Sequence, residues 1–229
     1  MSNLPSWVNL KSVGAVIVGL LGSSCVSLTA AEPPCIPAPA GMTTWFRFND
    51  DAIDTQTGSN AALSGGPLFI GGQVEQALRF DGVDDSARVS ASPAVDVGAG
   101  AGLTVEAWIR PENVQSPGAL LEWSDSVSKL GVHFYVASSS PGSLFANVVD
   151  INGSSHSFST PSGLLSTGQW QHVGLTYSRT SGVARLFLNG TSVVQQAMGT
   201  FQPETRTDLQ VGRRVLGAMP TAIVADSMS

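Results

Sequence analysis

Lysine is almost missing from this sequence: Lys11 and Lys129 are the only two in 229 residues. With 11 basic against 17 acidic residues the formal net charge is −6, and no basic stripe exists. Phosphate backbones are held by clustered cations, so nucleic acid is excluded as a partner. Charged residues make up 12%, about half the usual ~25%. The chain is nonetheless 42% apolar, which argues against disorder. There is no apolar run approaching the roughly 20 residues that a spanning helix needs. Phosphate-binding and dinucleotide-binding glycine loops are absent, as is a G-x-S-x-G nucleophile elbow. His133, His156 and His172 lack the spacing of a transition-metal site. No stretch of ten or more residues combines a 3.6-residue apolar period with helix caps. What remains is glycine, serine, threonine and short alternating segments, the composition of a β-rich exported protein.

The first segment reads as an address. Lys11 is followed by the apolar run Ser12–Leu21 and then by small residues up to Ala31, the order found in a secretory signal. Cleavage is expected after Ala31, with Thr29 and Ala31 as the small −3 and −1 residues. An alternative is lipoprotein processing, which would anchor the chain at Cys25. Ordinary cleavage removes Cys25 and leaves Cys35 without an internal partner; if the segment is kept, a Cys25–Cys35 pairing stays open. Residues 32–40 carry Pro33, Pro34, Pro37 and Pro39 and read as an extended lead-in. The expected location is secreted, periplasmic or cell-surface, with no membrane span.

From Met42 onward, short alternating runs are separated by turn residues. Strands are predicted over Thr43–Phe48, Gln76–Phe80, Ser86–Val89, Leu103–Ile109, Ala119–Trp123, Gly131–Val136, Leu144–Val149, Ser155–Ser159, Trp170–Ser178, Val183–Leu188, Ser192–Gln195 and Leu209–Val211. In 104–110, Val105, Ala107 and Ile109 face one way, and Thr104, Glu106 and Trp108 the other. Asn189-Gly190 suits a two-residue hairpin turn, in which both positions take positive φ. Trp170 to Gln195 is therefore predicted to be a three-stranded meander. Many strands without helices imply an antiparallel sandwich or jelly roll.

Three blocks together resemble the LamG-like jelly-roll family of the concanavalin A-like lectin/glucanase fold. The first is Gly41-Met42-Thr43-Thr44-Trp45-Phe46-Arg47-Phe48-Asn49-Asp50. The second runs from Gly72 through Ala77-Leu78-Arg79-Phe80-Asp81-Gly82-Val83-Asp84-Asp85 to Val89 and is followed by Leu103–Pro111. The third is Trp170-Gln171-His172-Val173 through Arg185-Leu186-Phe187-Leu188-Asn189-Gly190. The resemblance implies an all-β antiparallel jelly-roll sandwich over 41–214 in a bacterial exported protein. Family members close with a further strand. Ala222-Ile223-Val224-Ala225-Asp226-Ser227 is only faintly like it, so the fold is expected to lack its final strand, leaving 215–229 as an irregular or truncated tail and Thr43–Phe48 with an unpaired edge.

Chemistry is sparse. Glycoside hydrolysis uses two carboxylates at a fixed separation, whereas Glu106 stands alone in its strand and Glu122 and Asp125 flank Trp123 without a third acid, reading as solvent-facing strand-end charges. Ser155 and His156 are neighbours that a strand would send to opposite faces. No catalytic residue is expected, and the chain is read as not an enzyme. Oxygen-rich loops leave calcium as the one cofactor expectation, at Asp50, Asp51 and Asp54. Asp81-Gly82 is read instead as turn chemistry. Trp45, Trp108 and Trp170 are expected in the core or framework, and Trp123 and Phe145 nearer the surface. The resemblance implies a non-catalytic binding or adhesion module for glycans or extracellular protein surfaces. The alternatives are a structural component of a cell-surface assembly and the accessory module of a carbohydrate-active enzyme.

Overall fold

A computed structural model describes residues 38–214, 219–220, 222–226 and 228. The predicted signal segment, Cys25, Cys35 and most of the proline-rich lead lie outside the described residues. Two seven-stranded antiparallel sheets enclose one apolar core. Sheet A runs in the order β1 (Ala62–Ser64), β4 (Ser86–Val89), β13 (Asp208–Val211), β6 (Gly118–Ser124), β7 (Leu130–Val136), β8 (Leu144–Asn147) and β9 (Ser157–Ser159). Sheet B runs β12 (Thr191–Ala197), β11 (Val183–Leu188), β10 (Gln171–Ser178), β5 (Gly102–Pro111), β16 (Ala222–Asp226), β3 (Gln76–Asp81) and β2 (Leu68–Gly71). A short ribbon of β14 (Arg213–Arg214) and β15 (Met219–Pro220) lies against β6. The helical content of the described residues is one 3₁₀ turn at Val97–Ala99.

The period-two pattern explains the layers. In β5, Leu103, Val105, Ala107 and Ile109 are buried, and Thr104, Glu106, Trp108 and Arg110 alternate outward. In β10, Val173, Leu175 and Tyr177 do the same against His172, Thr176 and Ser178. Burial of such side chains, worth roughly 1.5–3 kcal/mol each, fixes the register, because a one-residue slip would expose the whole set. The meander of β10, β11 and β12 forms as predicted, and Asn189 and Gly190 both take positive φ, 49° and 77°.

The expectation of a missing final strand is corrected. Ala222–Asp226 inserts between β3 and β5 and pairs with both. Ile223 and Ala225 are buried in the shared core and Val224 is buried on the other face. Without this segment two central strands would leave rows of backbone donors and acceptors unpaired. The segment continues to Met228, which exchanges two backbone hydrogen bonds with Phe46, each 2.9 Å. The first predicted strand, Thr43–Phe48, also differs. It makes bridges only at Phe46, to Met228 and Asp54. Phe48 takes a φ of 53°, and with Phe46 it turns into the core, the two rings 6.0 Å apart. Two further strands, β1 and β2, lie between the first two predicted strands, where none was predicted.

Candidate functional site

The outer face of sheet B carries an open cleft. Across β5 and β10, Trp108 pairs with His172, Glu106 with Gly174, Thr104 with Thr176, and Gly102 with Ser178. The outward residues therefore form two adjoining rows. Gly102 is required here: a Cβ would come within 2.2 Å of the Tyr177 carbonyl oxygen. Gly174 leaves a low floor between Glu106 and Phe187. The segment 39–44 runs alongside and, with 100–104, closes a cleft of about 660 Å³ over the end of these rows. That is within the size range of small-ligand sites. Thr43, Thr44, Thr104, Thr176 and Ser178 bring hydroxyls to it, and Glu106 and Asp96 bring carboxylates. No lysine, arginine or histidine is among its described lining residues.

At the Glu106 end the cleft opens onto aromatic surface. His172 Nε2 lies 3.8 Å from Glu106 Oε2. The imidazole meets Trp108 edge-on, ring centroids 5.3 Å apart. The Asn189 side chain fixes this edge by accepting the His172 backbone N–H at 2.9 Å. One step further, the Arg110 guanidinium sits 5.2 Å from the Trp170 ring centroid. Trp108 and Trp170, expected in the core or framework, are thus half-buried on an outer face and not in the core. Trp123, expected nearer the surface, is buried in the core and donates its Nε1–H to the Val95 carbonyl at 3.1 Å.

Sheet A's outer face is closed by comparison. Arg88, Gln210, Glu122, His133 and Asn147 stand in register across five strands, and all but Arg88 are buried. Glu122, read from sequence as a solvent-facing charge, is completely buried. It accepts the Tyr135 hydroxyl hydrogen bond and has Arg214 Nε 3.8 Å away. Burial pushes the His133 imidazole down to about 4, and the nearby Arg214 adds to this, while a hydrogen bond to the Gly131 carbonyl opposes it. His133 is therefore neutral at pH 7, stacked 4.9 Å from Tyr135. This register row holds a single carboxylate, whose partners make it a structural tie between sheet and ribbon. Asp125 closes its own turn by accepting the N–H groups of Val127, Ser128 and Lys129.

The predicted calcium ligands do not gather. Asp50 and Asp51 are exposed and Asp54 is buried. Asp54 accepts the N–H groups of Trp45 (2.6 Å) and Gln56 (3.1 Å) on one oxygen and the Thr57 hydroxyl on the other. Asp51 accepts the Ile53 N–H. The trio of carboxylates within 4.8 Å of one another, among the described residues, is Asp81, Asp84 and Asp85. There Asp85 accepts the Asp81 N–H and Asp81 accepts the Val83 N–H, the turn chemistry expected of that segment. Ser155 and His156 do not form a dyad: Ser155 accepts a hydrogen bond from Asn147, and His156 stacks on Phe201 at 3.9 Å.

No curated protein matches the sequence. Several solved structures share the fold. Domain 4 of an extracellular GH43 arabinanase from Geobacillus stearothermophilus, solved with arabinotriose, is 15% identical with a TM-score of 0.59, covering 81% of this chain and 89% of that one. The binding domain of botulinum neurotoxin serotype G gives 12% identity and a TM-score of 0.64, covering 82% of this chain and 46% of that one. The binding domain of Paraclostridial Mosquitocidal Protein 1 gives 15% and 0.58, covering 77% and 45%. The chain thus spans about half the length of these toxin domains. At such identities the likeness is one of fold. Among the described residues, no helix is long and apolar enough to cross a membrane. Residues 82–222, well over half of the chain, match the family described as the concanavalin A-like lectin/glucanases superfamily, and the sandwich described above has its fold: the chain belongs to that family.

Proposed function

We propose that the chain is an exported, non-catalytic module that binds saccharide chains along the outer face of sheet B. One observation carries this reading. The 660 Å³ cleft is lined by hydroxyls and carboxylates and continues onto the Trp108–His172 edge. Sugars present hydroxyls to the first kind of surface and apolar C–H faces to the second. The arabinanase domain, which shares the fold over most of its length and was solved with arabinotriose, supports it. Titration calorimetry with arabinotriose and other oligosaccharides tests it. Binding is expected, with Trp108→Ala weakening it at least about tenfold at an unchanged melting temperature. Absence of binding by every saccharide would overturn the reading.

A specific observation favours a second reading, attachment to a protein surface within a cell-surface assembly. Leu68, Val74 and Val83 are 57%, 54% and 69% exposed, and β2 is an edge strand. Exposed apolar side chains beside an open edge suit a protein partner.

A further inference from the structure

Both sheets end on one side of the sandwich: β1 closes sheet A, β2 closes sheet B, and Gly65-Gly66-Pro67 joins them. We infer that the β2 edge pairs with the same edge of a second copy of this chain, an inference that takes its surface from the protein-attachment reading above. Among the described residues no strand lies beyond β2. Natural edges are blunted by charge, lysine above all, or are covered. Leu68-Phe69-Ile70-Gly71 and Ala62-Leu63-Ser64 carry no charge, and Leu63 is itself exposed. Phe69 packs on the core, so Leu68 and Ile70 lie on the outer face, opposite Arg79 and Ala77. The turns at the two ends of the β2–β3 hairpin differ. Turn 72–75 presents Val74 and the Arg47–Glu75 ion pair, 2.7 Å from Nη2 to Oε2. Turn 82–85 presents Val83, flanked by the exposed carboxylates of Asp81 and Asp84. A two-fold axis through the middle of β2, normal to the sheet, runs the two edges antiparallel and sets each copy's 72–75 turn opposite the other's 82–85 turn. Val74 then meets Val83, and Arg47 approaches Asp81 and Asp84. A parallel pairing would instead bring carboxylates against carboxylates. The contact is isologous, so it closes at two copies and does not propagate. The opposite edge of sheet B fits less well: β12 exposes Thr191, Ser192, Gln195 and Gln196, and its pairing with β11 carries a register shift, an irregularity that blunts an edge. A four-residue strand pair with two turns lies at the small end of specific interfaces, which places the affinity in the micromolar range. Both copies turn the outer face of sheet B the same way, so the dimer presents two clefts to one surface.

Sedimentation velocity of the full chain from about 1 to 300 μM tests this, a range that brackets micromolar affinity. A reversible monomer–dimer equilibrium is expected. Leu68→Lys puts a cation on an exposed position of both facing edges and should weaken dimerisation at least about tenfold. Its melting temperature, read at the dilute end, should match wild type. Val83→Lys, which sets a cation against Arg47 of the other copy, should weaken the dimer as well. Ser192→Lys, on β12, should leave the equilibrium unchanged. A chain that is monomeric over the whole range would overturn the second copy as occupant and leave attachment to an unlike protein standing. A dimer that survives both Leu68→Lys and Val83→Lys, or that Ser192→Lys dissolves, would place the contact elsewhere and overturn the proposal too.

Discussion

Glu204 offers the sharpest energetic test of how the loop after β12 is held. Its side chain is wholly buried and accepts hydrogen bonds from the Arg206 guanidinium and from the Arg206 backbone N–H, and Lys129 Nζ lies 2.6 Å away. Its backbone is also committed: its N–H donates to the Val149 carbonyl at 2.8 Å and its carbonyl accepts from Val132 at 3.0 Å. Gly131 is needed beside it, because a Cβ there would sit 2.2 Å from the Glu204 carbonyl oxygen. Burial alone would raise this carboxyl, but the hydrogen bonds from Arg206 and Lys129 outweigh it and hold the group at about 2. The folded chain therefore binds this proton less readily than the unfolded chain, whose glutamate titrates near ~4.3. The stabilisation is present above pH ~4.3 and is lost as the pH falls towards 2. A displacement of that size corresponds to roughly 3 kcal/mol. Lys129 and Arg206 are both nearly half exposed, so solvent screening reduces this to about 1–2 kcal/mol. Glu204→Gln should then lower the melting temperature at pH 7 by roughly 2–8 °C, given about 2–4 °C per kcal/mol for a domain of this size. Urea unfolding of both proteins between pH 7 and pH 2 is the assay. The wild-type advantage should shrink steadily below pH ~4.5. A constant gap down to pH 2, or no gap at pH 7, would refute the reasoning.

Ile223→Ala in β16 should cost about 2–5 kcal/mol, because it empties a site between two central strands; a melting temperature equal to wild type would contradict the placement of that strand. Trp123→Phe should cost about 1–3 kcal/mol, leaving the Val95 carbonyl without its indole donor, as read by thermal melts. Burial raises the Asp226 carboxyl, while its Oδ2 accepts the Val74 N–H at 2.7 Å. The folded chain thus holds this proton longer than the unfolded one, so its contribution favours folding below the ordinary carboxylate range and fades as the pH rises through the raised value. Asp226→Asn should remove that component, and superimposable pH–stability curves would count against it. Calcium should leave the melting temperature unchanged, since Asp54 already spends both carboxylate oxygens on Trp45, Gln56 and Thr57; a rise abolished by Asp51→Asn would place an ion in that loop.

Strands whose two faces differ were legible from sequence. Leu103–Ile109 announces an inside and an outside, and the hairpin turn at Asn189-Gly190 follows from residues that accept positive φ. Apolar segments without such contrast were not. Leu68-Phe69-Ile70, bounded by Gly65-Gly66-Pro67 and Gly71-Gly72, is an apolar run too short to show a period. Ala222–Asp226 is too short for its pattern to be distinctive, and pairing on both sides supplies what propensity does not. The cleft was out of reach for another reason. One of its walls, 39–44, begins in a proline-rich stretch that looks like a spacer, and only tertiary placement sets it beside Thr104 and Thr176. Glu122 was misread because its partners, Tyr135 and Arg214, sit on other strands.

The central position of β16 has a consequence for how the protein is made. Sheet B has a gap between β3 and β5 until residues 222–226 arrive, and those residues follow every other strand of the two sheets in sequence. Pairings between segments far apart in sequence close large loops and form late. Until those residues dock, the chain carries two unsatisfied strand edges and stays out of its native basin. That delay opens an interval in which a holdase, or a neighbouring chain, competes with residues 222–226 for the vacant slot.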